Sequence, residues 1–476
     1  MASGIHLYIC IKNLNSIVEN AEAKGGISKV FYSMDLLLCE LDSWIKNKNT
    51  DGVYIEKLTG SRIHFVINTK FPGSDRDNFW EIVDFAYGLL SKLNNAKKLD
   101  SLSADYQMCM GADYGHYQRS PIDYNDIQED NSIGNPANRA AKIQGFAEAG
   151  WLYITKGLSD YLALASAYRR LVQDVPQGVN ESLRRRYSDI TAYRISLADR
   201  SVVLPDSRQF FAQKQTLLES FEQKLNEENL QDYVPVSIDH TYRFSQTTNR
   251  PKHIQPGYVL YCDIRGSTKL VAEWANSPNF TSLIKAIMEK IYSMIDAVLG
   301  CGLDHIQVQG DRESAMIAVK GDSKSAAEKI LKCAFWLQGA DFTKLFESYA
   351  VDQNAFPLSV GIGISYGSFY RSSIGTRSDA DNLLLGSVVN DADDAEDKGA
   401  ANPNTIALTI DAYNAIASCG DRNLAGVAKK VFVLDSNHTY YVNVVNKSGY
   451  INALEEEKLA NNVLDANERK DKGWAP

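Results

Sequence analysis

The chain has 476 residues, the length of two or three ordinary domains. Hydrophobic residues make up 44% and charged residues 23%, the balance of a globular rather than a disordered protein. The formal net charge of −9 argues against a general nucleic-acid binder, which needs a basic face; it leaves a nucleotide substrate open, since a bound metal can handle phosphate charge locally.

In chain order, residues 5–11 read as a strand and 27–47 as a helix. Residues 52–67 form two β-like runs around Thr59-Gly60-Ser61, a hairpin turn. A helix over 76–97 and a strand over 104–113 follow. Residues 207–230 have helical character, and the polar stretch 237–256, with two prolines, reads as a linker. The same order then recurs: strand 257–263, helix 279–298, paired strands 304–319, helix 323–348, strand 356–370. Residues 447–476 read as a charged helix with a loose tail. Four segments are expected: a domain over 1–200, a helical segment and linker over 201–252, a domain over 253–446, and the tail over 447–476. Strand pairs alternating with helices fit an α+β sandwich with helices on one face of a mixed sheet.

No stretch approaches ~18 uninterrupted apolar residues, so no membrane span is expected. The N-terminus goes directly into a strand, without the charged and apolar regions of a signal peptide. Seven cysteines without a C-x-x-C pair point to a reducing, cytoplasmic setting. Seven histidines show no ligand spacing such as H-E-x-x-H.

One pattern occurs twice with complementary parts missing. Leu7-Tyr8-Ile9-Cys10-Ile11-Lys12 is followed by Glu56-Lys57-Leu58-Thr59-Gly60-Ser61; Tyr261-Cys262-Asp263-Ile264-Arg265-Gly266-Ser267-Thr268 is followed by Gln307-Val308-Gln309-Gly310-Asp311. Cys10, Ser61 and Asn138 are 51 and 77 positions apart, and Asp263, Asp311 and Asn390 are 48 and 79 apart. Where the second copy has Asp263 and Asp311, the first has Cys10 and Ser61. Where the first has Lys57, the second has Gln307.

Two carboxylates at strand ends suit octahedral Mg²⁺ or Mn²⁺ together with phosphate oxygens. Arg265, Gly266, Ser267 and Thr268 offer a cradle for phosphate at a helix start. Taken singly, Asp263 could instead cap a helix and Asp311 could sit in a solvated turn. In the first copy, a helix opening after Pro136 puts Asn138 and Lys142 at i and i+4 on one face. An amide and a cation there can hold a ribose and offset charge on a five-coordinate phosphorus. In the second copy Asn390 is followed at i+4 by Asp394, which suits a triphosphate poorly.

These motifs resemble those of class III nucleotidyl cyclases, the adenylyl and guanylyl cyclase family. The resemblance implies two tandem ferredoxin-like domains in an intramolecular pseudo-heterodimer, with one composite site inside one chain. It implies two Mg²⁺ or Mn²⁺ ions held by Asp263, Asp311 and the Ile264 carbonyl. The first copy is similar to the second catalytic domain of mammalian adenylyl cyclases, whose own metal positions are lost. That likeness gives Lys57 a base-reading role and Asn138 a transition-state role. Lys142 stands where the family has Arg; either it serves there or Arg139 reaches in, and Lys142 is the preferred reading. Counting back from Gly134 places Asn131 at the second base-reading position, with Asp130 adjacent; Asp130 in register would favour adenine or cytosine.

A tandem pair with divergent base-reading residues also resembles the bacterial pyrimidine cyclases of Pycsar anti-phage systems. By that resemblance the product is cyclic CMP or cyclic UMP, which switches on an effector protein after infection. The alternatives are an adenylate cyclase making cyclic AMP, a non-catalytic nucleotide sensor, or a polymerase-like nucleotidyl transferase.

Overall fold

The computed structural model describes residues 2–48, 52–69, 74–96, 105–125, 127–162, 170–187, 190–199, 208–227, 235–237, 251–274, 277–319, 321–339, 358–374 and 381–471. The first repeat comprises β1 (Ala2–Ile11), α1 (Leu14–Ala23), α2 (Ile27–Lys48), β2 (Val53–Thr59), β3 (Arg62–Asn68), α3 (Ser74–Asn94) and β4 (Met108–Arg119). It continues through β5 (Ile122–Tyr124), β6 (Ile127–Glu129), β7 (Ser132–Ile133), α4 (Asn135–Phe146), β8 (Trp151–Thr155), α5 (Lys156–Leu162), β9 (Gln173–Asp174), α6 (Gln177–Arg186) and β10 (Ala192–Ser196). Helix α7 (Arg208–Glu227) and β11 (Val236–Ser237) lie between the repeats. The second repeat comprises β12 (Lys252–Arg265), α8 (Ser267–Trp274), α9 (Phe280–Gly300), β13 (Asp304–Gln309), β14 (Arg312–Ala318), α10 (Ser323–Gln338), β15 (Ser359–Ile374) and β16 (Asp381–Leu385). After it come α11 (Ser387–Asp394), β17 (Thr405–Thr409), α12 (Ile410–Ala417), α13 (Arg422–Val431), β18 (Phe432–Leu434), β19 (Tyr440–Asn443) and α14 (Lys447–Asp471).

The two mixed sheets share one topology. Strand order is β2-β3-β1-β4-β8-β10-β9 in the first and β13-β14-β12-β15-β17-β19-β18 in the second. Register matches residue by residue: Cys10 pairs with Arg62 as Asp263 pairs with Arg312. Both hairpins carry an irregularity at the same place, between Ile55 and Lys57 and between His305 and Gln307. The α+β tandem architecture expected from the sequence is therefore present.

Alternation along the central strands decides which side chains face the partner domain. In β1, Ile5, Leu7, Ile9 and Ile11 enter the core beneath α1–α3, which leaves His6, Tyr8 and Cys10 on the other face. In β12, Tyr258, Leu260, Cys262 and Ile264 face the helices, while Val259 and Tyr261 join a small core on the opposite side. Asp263 shares that opposite side.

The helices do not all lie on one face, as the strand–helix pattern had suggested. Helix α4 crosses the opposite face of the first sheet, and α11 does the same on the second. Their closest approaches are at Gly111 and Gly363. A Cβ at Gly111 would come within 2.5 Å of the Ala140 carbonyl oxygen, and one at Gly363 within 2.3 Å of the Ala392 carbonyl oxygen. Glycine is what lets each helix sit this close to its strand.

Other boundaries shift as well. The strand expected over 104–113 runs Met108–Arg119, because it continues along β1 as far as Tyr117 and then pairs with β7 at Gln118 and Arg119. The linker expected over 237–256 contains the start of β12, while 238–250 lies outside the described residues, as does the end of the helix expected over 323–348. Helix α7 is packed: Phe221 and Leu225 are buried in the first core, and Lys214 pairs with Asp84. Helix α14 docks on the second domain, where Tyr450 stacks on Phe335 with ring centroids 4.3 Å apart.

Each domain sends an arm into the other. Tyr370, Ile374, Leu383 and Leu385 of β15–β16 lie in the first domain's core, and Tyr370 donates to Glu22 at 3.0 Å. In return Ile122 and Ile133 enter the second core, and Tyr124 stacks on Tyr292 at 4.8 Å. The exchange makes a head-to-tail pair within one chain. Among the described residues, no helix is long and apolar enough to cross a membrane.

Gly111→Val and Gly363→Val should each lower stability by about 1–3 kcal/mol through overpacking beneath α4 or α11. Urea unfolding should show a reduced midpoint for both, and an unchanged midpoint would contradict the close approach.

Candidate active site

The metal-type half is built at one end of the second sheet. Strand β12 delivers Asp263 at its register partner Arg312, and the β13–β14 turn delivers Asp311 directly after Gly310, whose φ of 68° glycine adopts without strain. Ser267, at the start of α8, donates its hydroxyl to Asp311 Oδ2. Burial pushes both carboxyl groups above the usual carboxylate range, and the charge of Asp263 pushes Asp311 further. Arg312, Arg265 and then Lys142 of the first domain offset part of this at Asp263, and the Ser267 hydroxyl and then Lys142 do so at Asp311. The two carboxylates therefore share one electrostatic environment although 48 positions separate them.

Ile264, the third residue expected at the metal, follows Asp263 near the end of β12 and pairs with Val360 of β15. Its counterpart Ile11 donates its N–H to Ser61 O at 2.9 Å.

Of the four residues expected to cradle phosphate, Ser267 lines the cleft, with Gly266 and Thr268 on either side of it in the chain. Gly266 has a φ of 88° and its carbonyl accepts from Leu270 N, which starts α8. Ser267 and Thr268 form the first turn of that helix, whose N–H groups are available to an anion. Arg265 is placed elsewhere. Its guanidinium lies against Gly361, donates to the Ala400 carbonyl at 3.3 Å, and pairs with Glu396 and, at 3.6 Å, with Asp263. It orients Asp263 rather than reaching into the cleft.

The complementary half comes from α4, which opens with Pro136 in its first turn. Asn138 Nδ2 donates to Thr268 Oγ1 at 3.2 Å, directly across the domain boundary. Lys142 lies one turn further along with its Nζ 4.4 Å from the centre of the Tyr187 ring. The charge of Lys142 acts on both Asp263 and Asp311. A small cleft lies between the domains, lined by Ser132, Gly134 and Asn138 on one side and by Ser267, Gly310 and Asp311 on the other.

Behind the cleft lies a buried charged network. Lys57, 4% exposed, donates to the Val308 carbonyl of the partner domain and pairs with Glu129 at 3.1 Å. Glu129 also accepts from Val308 N at 2.8 Å and contacts His305 Nε2 at 2.8 Å. Glu313 holds the other imidazole nitrogen at 2.6 Å. Charge and hydrogen bonding from Glu313 and Glu129 outweigh burial and lift His305 to about 10, while Lys57 and His305 outweigh burial and hold Glu129 down at about 2.

Glu129 is the residue that sequence counting missed. It lies five positions before Gly134, where the motif count pointed to Asn131 or Asp130. Asn131 is fully buried and spends its amide on Gly310, donating to O at 2.9 Å and accepting from N at 3.0 Å. It fixes the turn that carries Asp311. Asp130 pairs with Arg119 at 2.5 Å on the outer surface. The only signal for Glu129 was its place at the end of a short strand, which a single sequence does not show.

The second pseudo-site is differently equipped. Gln307 donates to Leu58 O at 3.1 Å and to Asn382 O at 3.0 Å, and Cys10 Sγ lies 3.4 Å from Ser61 Oγ. Asp394 pairs with Lys398 at 2.8 Å. Carboxylates at the Asp263 and Asp311 positions are replaced there by a thiol and a hydroxyl.

No protein-family model and no curated protein matches the sequence. Solved structures do match. A class III adenylyl cyclase-like ATP-binding protein from Pseudomonas aeruginosa superposes with a TM-score of 0.67 at 14% identity, over 95% of this chain and 90% of that one. The fold is that of a class III cyclase-like protein. Shorter matches include the adenylyl cyclase CyaB from P. aeruginosa, at 17% identity over 41% of this chain and 96% of that one, TM-score 0.32. A guanylyl cyclase domain of the RhoGC fusion protein from the aquatic fungus Blastocladiella emersonii matches at 14% identity over 41% and 96%, TM-score 0.30. The tandem arrangement of this cyclase-like chain is thus matched along nearly its whole length by the first of these structures.

The His305 network gives a signed pH dependence. A histidine whose folded pKa is raised to about 10 stabilises the fold fully below its unfolded value near 6.5 and loses that contribution as pH rises through 10. His305→Gln should therefore cost most stability at about pH 6, and its gap to the parent chain should narrow steadily towards pH 10. Urea midpoints of both proteins across this range would show it; a constant gap would exclude a charged His305.

Proposed function

We propose that the protein is a nucleotide cyclase that converts a nucleoside triphosphate to its 3′,5′-cyclic monophosphate and pyrophosphate. The observation that carries this reading is the meeting of two half-sites. Asp263 and Asp311 of the second domain lie within the field of Lys142 of the first, and Asn138 reaches Thr268 across the boundary.

The donor set fits a divalent cation. Asp263 and Asp311 are buried close enough to repel each other, which a dication relieves, and Ile264 is next to Asp263 in β12. These three groups would hold Mg²⁺ or Mn²⁺, two ions by the family resemblance; when bound, such ions lower the pKa of a ribose hydroxyl and neutralise phosphate charge. The protein's own groups do the positioning. The α8 N-terminus, with Gly266, Ser267 and Thr268, receives phosphate oxygens. Asn138 orients the ribose, and Lys142 offsets charge on the α-phosphorus as the 3′-oxygen bonds to it and pyrophosphate leaves. The 3′-hydroxyl proton passes to solvent or to a carboxylate of the site.

Lys57 and Glu129 form a donor beside an acceptor. That pair can meet the amine and ring nitrogen of cytosine or adenine, and equally the carbonyl and ring N–H of uracil or guanine, so it does not choose the base by itself. We favour a pyrimidine triphosphate as substrate and cyclic CMP or cyclic UMP as product, ahead of cyclic AMP, on the resemblance to pyrimidine cyclases. The product would serve as a cytoplasmic second messenger for a cyclic-nucleotide-activated effector in antiviral defence, a role that rests on resemblance to pyrimidine cyclases.

One observation favours a second reading. Lys57 and Glu129 are already engaged with Val308, so base binding must displace them, and the protein of the same tandem fold from P. aeruginosa is described as ATP-binding. A sensor that binds a nucleotide and shifts its domains would use the same cleft.

Incubation with all four NTPs and Mn²⁺, followed by mass spectrometry of products, separates these readings. A cyclic nucleotide and pyrophosphate should form, and Asp263→Ala or Asp311→Ala should reduce turnover at least about 100-fold while the circular dichroism spectrum stays unchanged. Binding without product would establish the sensor. Lys57→Ala should change the ratio of products more than the total rate; an unchanged ratio would remove Lys57 from base recognition.

A further inference from the structure

The interface-facing side of the first sheet holds a group that the composite site does not use. His6 on β1, His64 on β3 and Glu56 at the β2 irregularity are 0%, 4% and 8% exposed. His6 Nδ1 lies 3.0 Å from His64 Nε2, and His64 Nδ1 lies 3.4 Å from Glu56 Oε1. Tyr8 stacks on His64 at 4.1 Å and Tyr117 packs edge-on against His6 at 4.6 Å, so both imidazoles are fixed. Two polar atoms in this buried place, His6 Nε2 and Glu56 Oε2, have no hydrogen-bond partner. Buried polar atoms without partners are costly, and each calls for an explanation.

The sister domain shows that the fold does not require them. By the matching register, His6, Glu56 and His64 correspond to Val259, Ile306 and Ser314. Val259 and Ile306 there belong to a small apolar core. The first domain has replaced that core with two imidazoles and a carboxylate.

We infer that His6, Glu56 and His64 form a second metal site, for a borderline transition cation of which Zn²⁺ is the best match. One ligand atom from each residue lies within 4.8 Å of the others. Ligands about 2 Å from a tetrahedral ion lie roughly 3.3 Å apart, so a contraction of at most roughly 1.5 Å completes the first three positions. Imidazole nitrogen with one carboxylate is a donor set suited to Zn²⁺ and poorly suited to Mg²⁺. Protonation states agree: burial and His64 depress His6 to about 3, leaving it neutral with a free lone pair, while the histidines hold Glu56 ionised at about 2.

The ion would tie three neighbouring strands together. It would also reach the composite site through one bond, because Glu56 Oε1 accepts from Ser132 N at 2.9 Å, and Ser132 precedes the helix that bears Asn138. This site stands apart from Asp263 and Asp311 and does not depend on the cyclase reading.

The test uses the full chain carrying Asp311→Asn, so that the composite site contributes no strong second ion. After equilibration with Zn²⁺ and desalting, elemental analysis should find one zinc per chain. The triple substitution His6→Val, Glu56→Ile and His64→Ser copies the residues that the sister domain folds with at these positions. It should retain no zinc, and added Zn²⁺ should raise the melting temperature of the Asp311→Asn chain but not of the triple variant. Co²⁺ in place of Zn²⁺ should give visible absorption that the triple variant lacks. Zinc below one-tenth of an equivalent (about 0.1 per chain) in the Asp311→Asn protein, or equal zinc in both proteins, would overturn the site.

Discussion

Lys57 donates to the carbonyl of Val308, and Gln307 donates to the carbonyl of Leu58. These two bonds are the same interaction seen from opposite ends of the pseudo-twofold axis. Each ties the hairpin of one domain to the hairpin of the other at equivalent residues, and both lie in buried surroundings where an unpaired group is costly. The domains are thereby set in one register. In that register Asn138 reaches Thr268, Asn131 clamps the Gly310 turn, and Lys142 faces the two acidic residues. A slip at the hairpins would separate all three contacts together.

The symmetry of the frame contrasts with the asymmetry of its charges. At one end the frame carries Asp263, Asp311, Asn138 and Lys142. At the other it carries Cys10, Ser61, Asn390 and Asp394. Two buried carboxylates without a cation opposite them would be unfavourable, because each desolvated charge raises the cost of the next. Lys142 supplies opposing charge at the first end. At the second end Asp394 stands where Lys142 would be, and a thiol and a hydroxyl replace the carboxylates. Each end is therefore consistent in its own charge balance.

The sequence revealed the repeat and the division of residues because both depend on identity and spacing, which a chain carries openly. Asp263, Asp311, Asn138 and Lys142 could be read this way, and so could the order of the elements. Orientation could not. Arg265 looked like a phosphate ligand, but Gly361 leaves a space on the neighbouring strand that its guanidinium fills. Asn131 looked available to a base, but its amide matches the backbone of Gly310 across the boundary. Glu129 went unnoticed because its partners, Lys57, Val308 and His305, are 72 to 179 residues away. The histidines showed no ligand spacing because His6 and His64 meet through strand pairing, not through a local motif.

Duplication explains how such a polar group could enter a sheet interior. In the second domain the face beside Asp263 is held by Val259, Tyr261, Ile306 and Met316, an apolar packing that keeps the Asp263 strand rigid. The first domain has no carboxylate to position at Cys10, so its sheet is released from that demand. Yet α4 on this face still has to present Asn138 and Lys142 accurately, and the bond from Ser132 to Glu56 now anchors the strand leading into it. Rigidity that one domain obtains from hydrophobic packing is obtained in the other from directed polar contacts around His6, Glu56 and His64. The two domains thus solve the same positioning problem with different chemistry, each for its own half of the site.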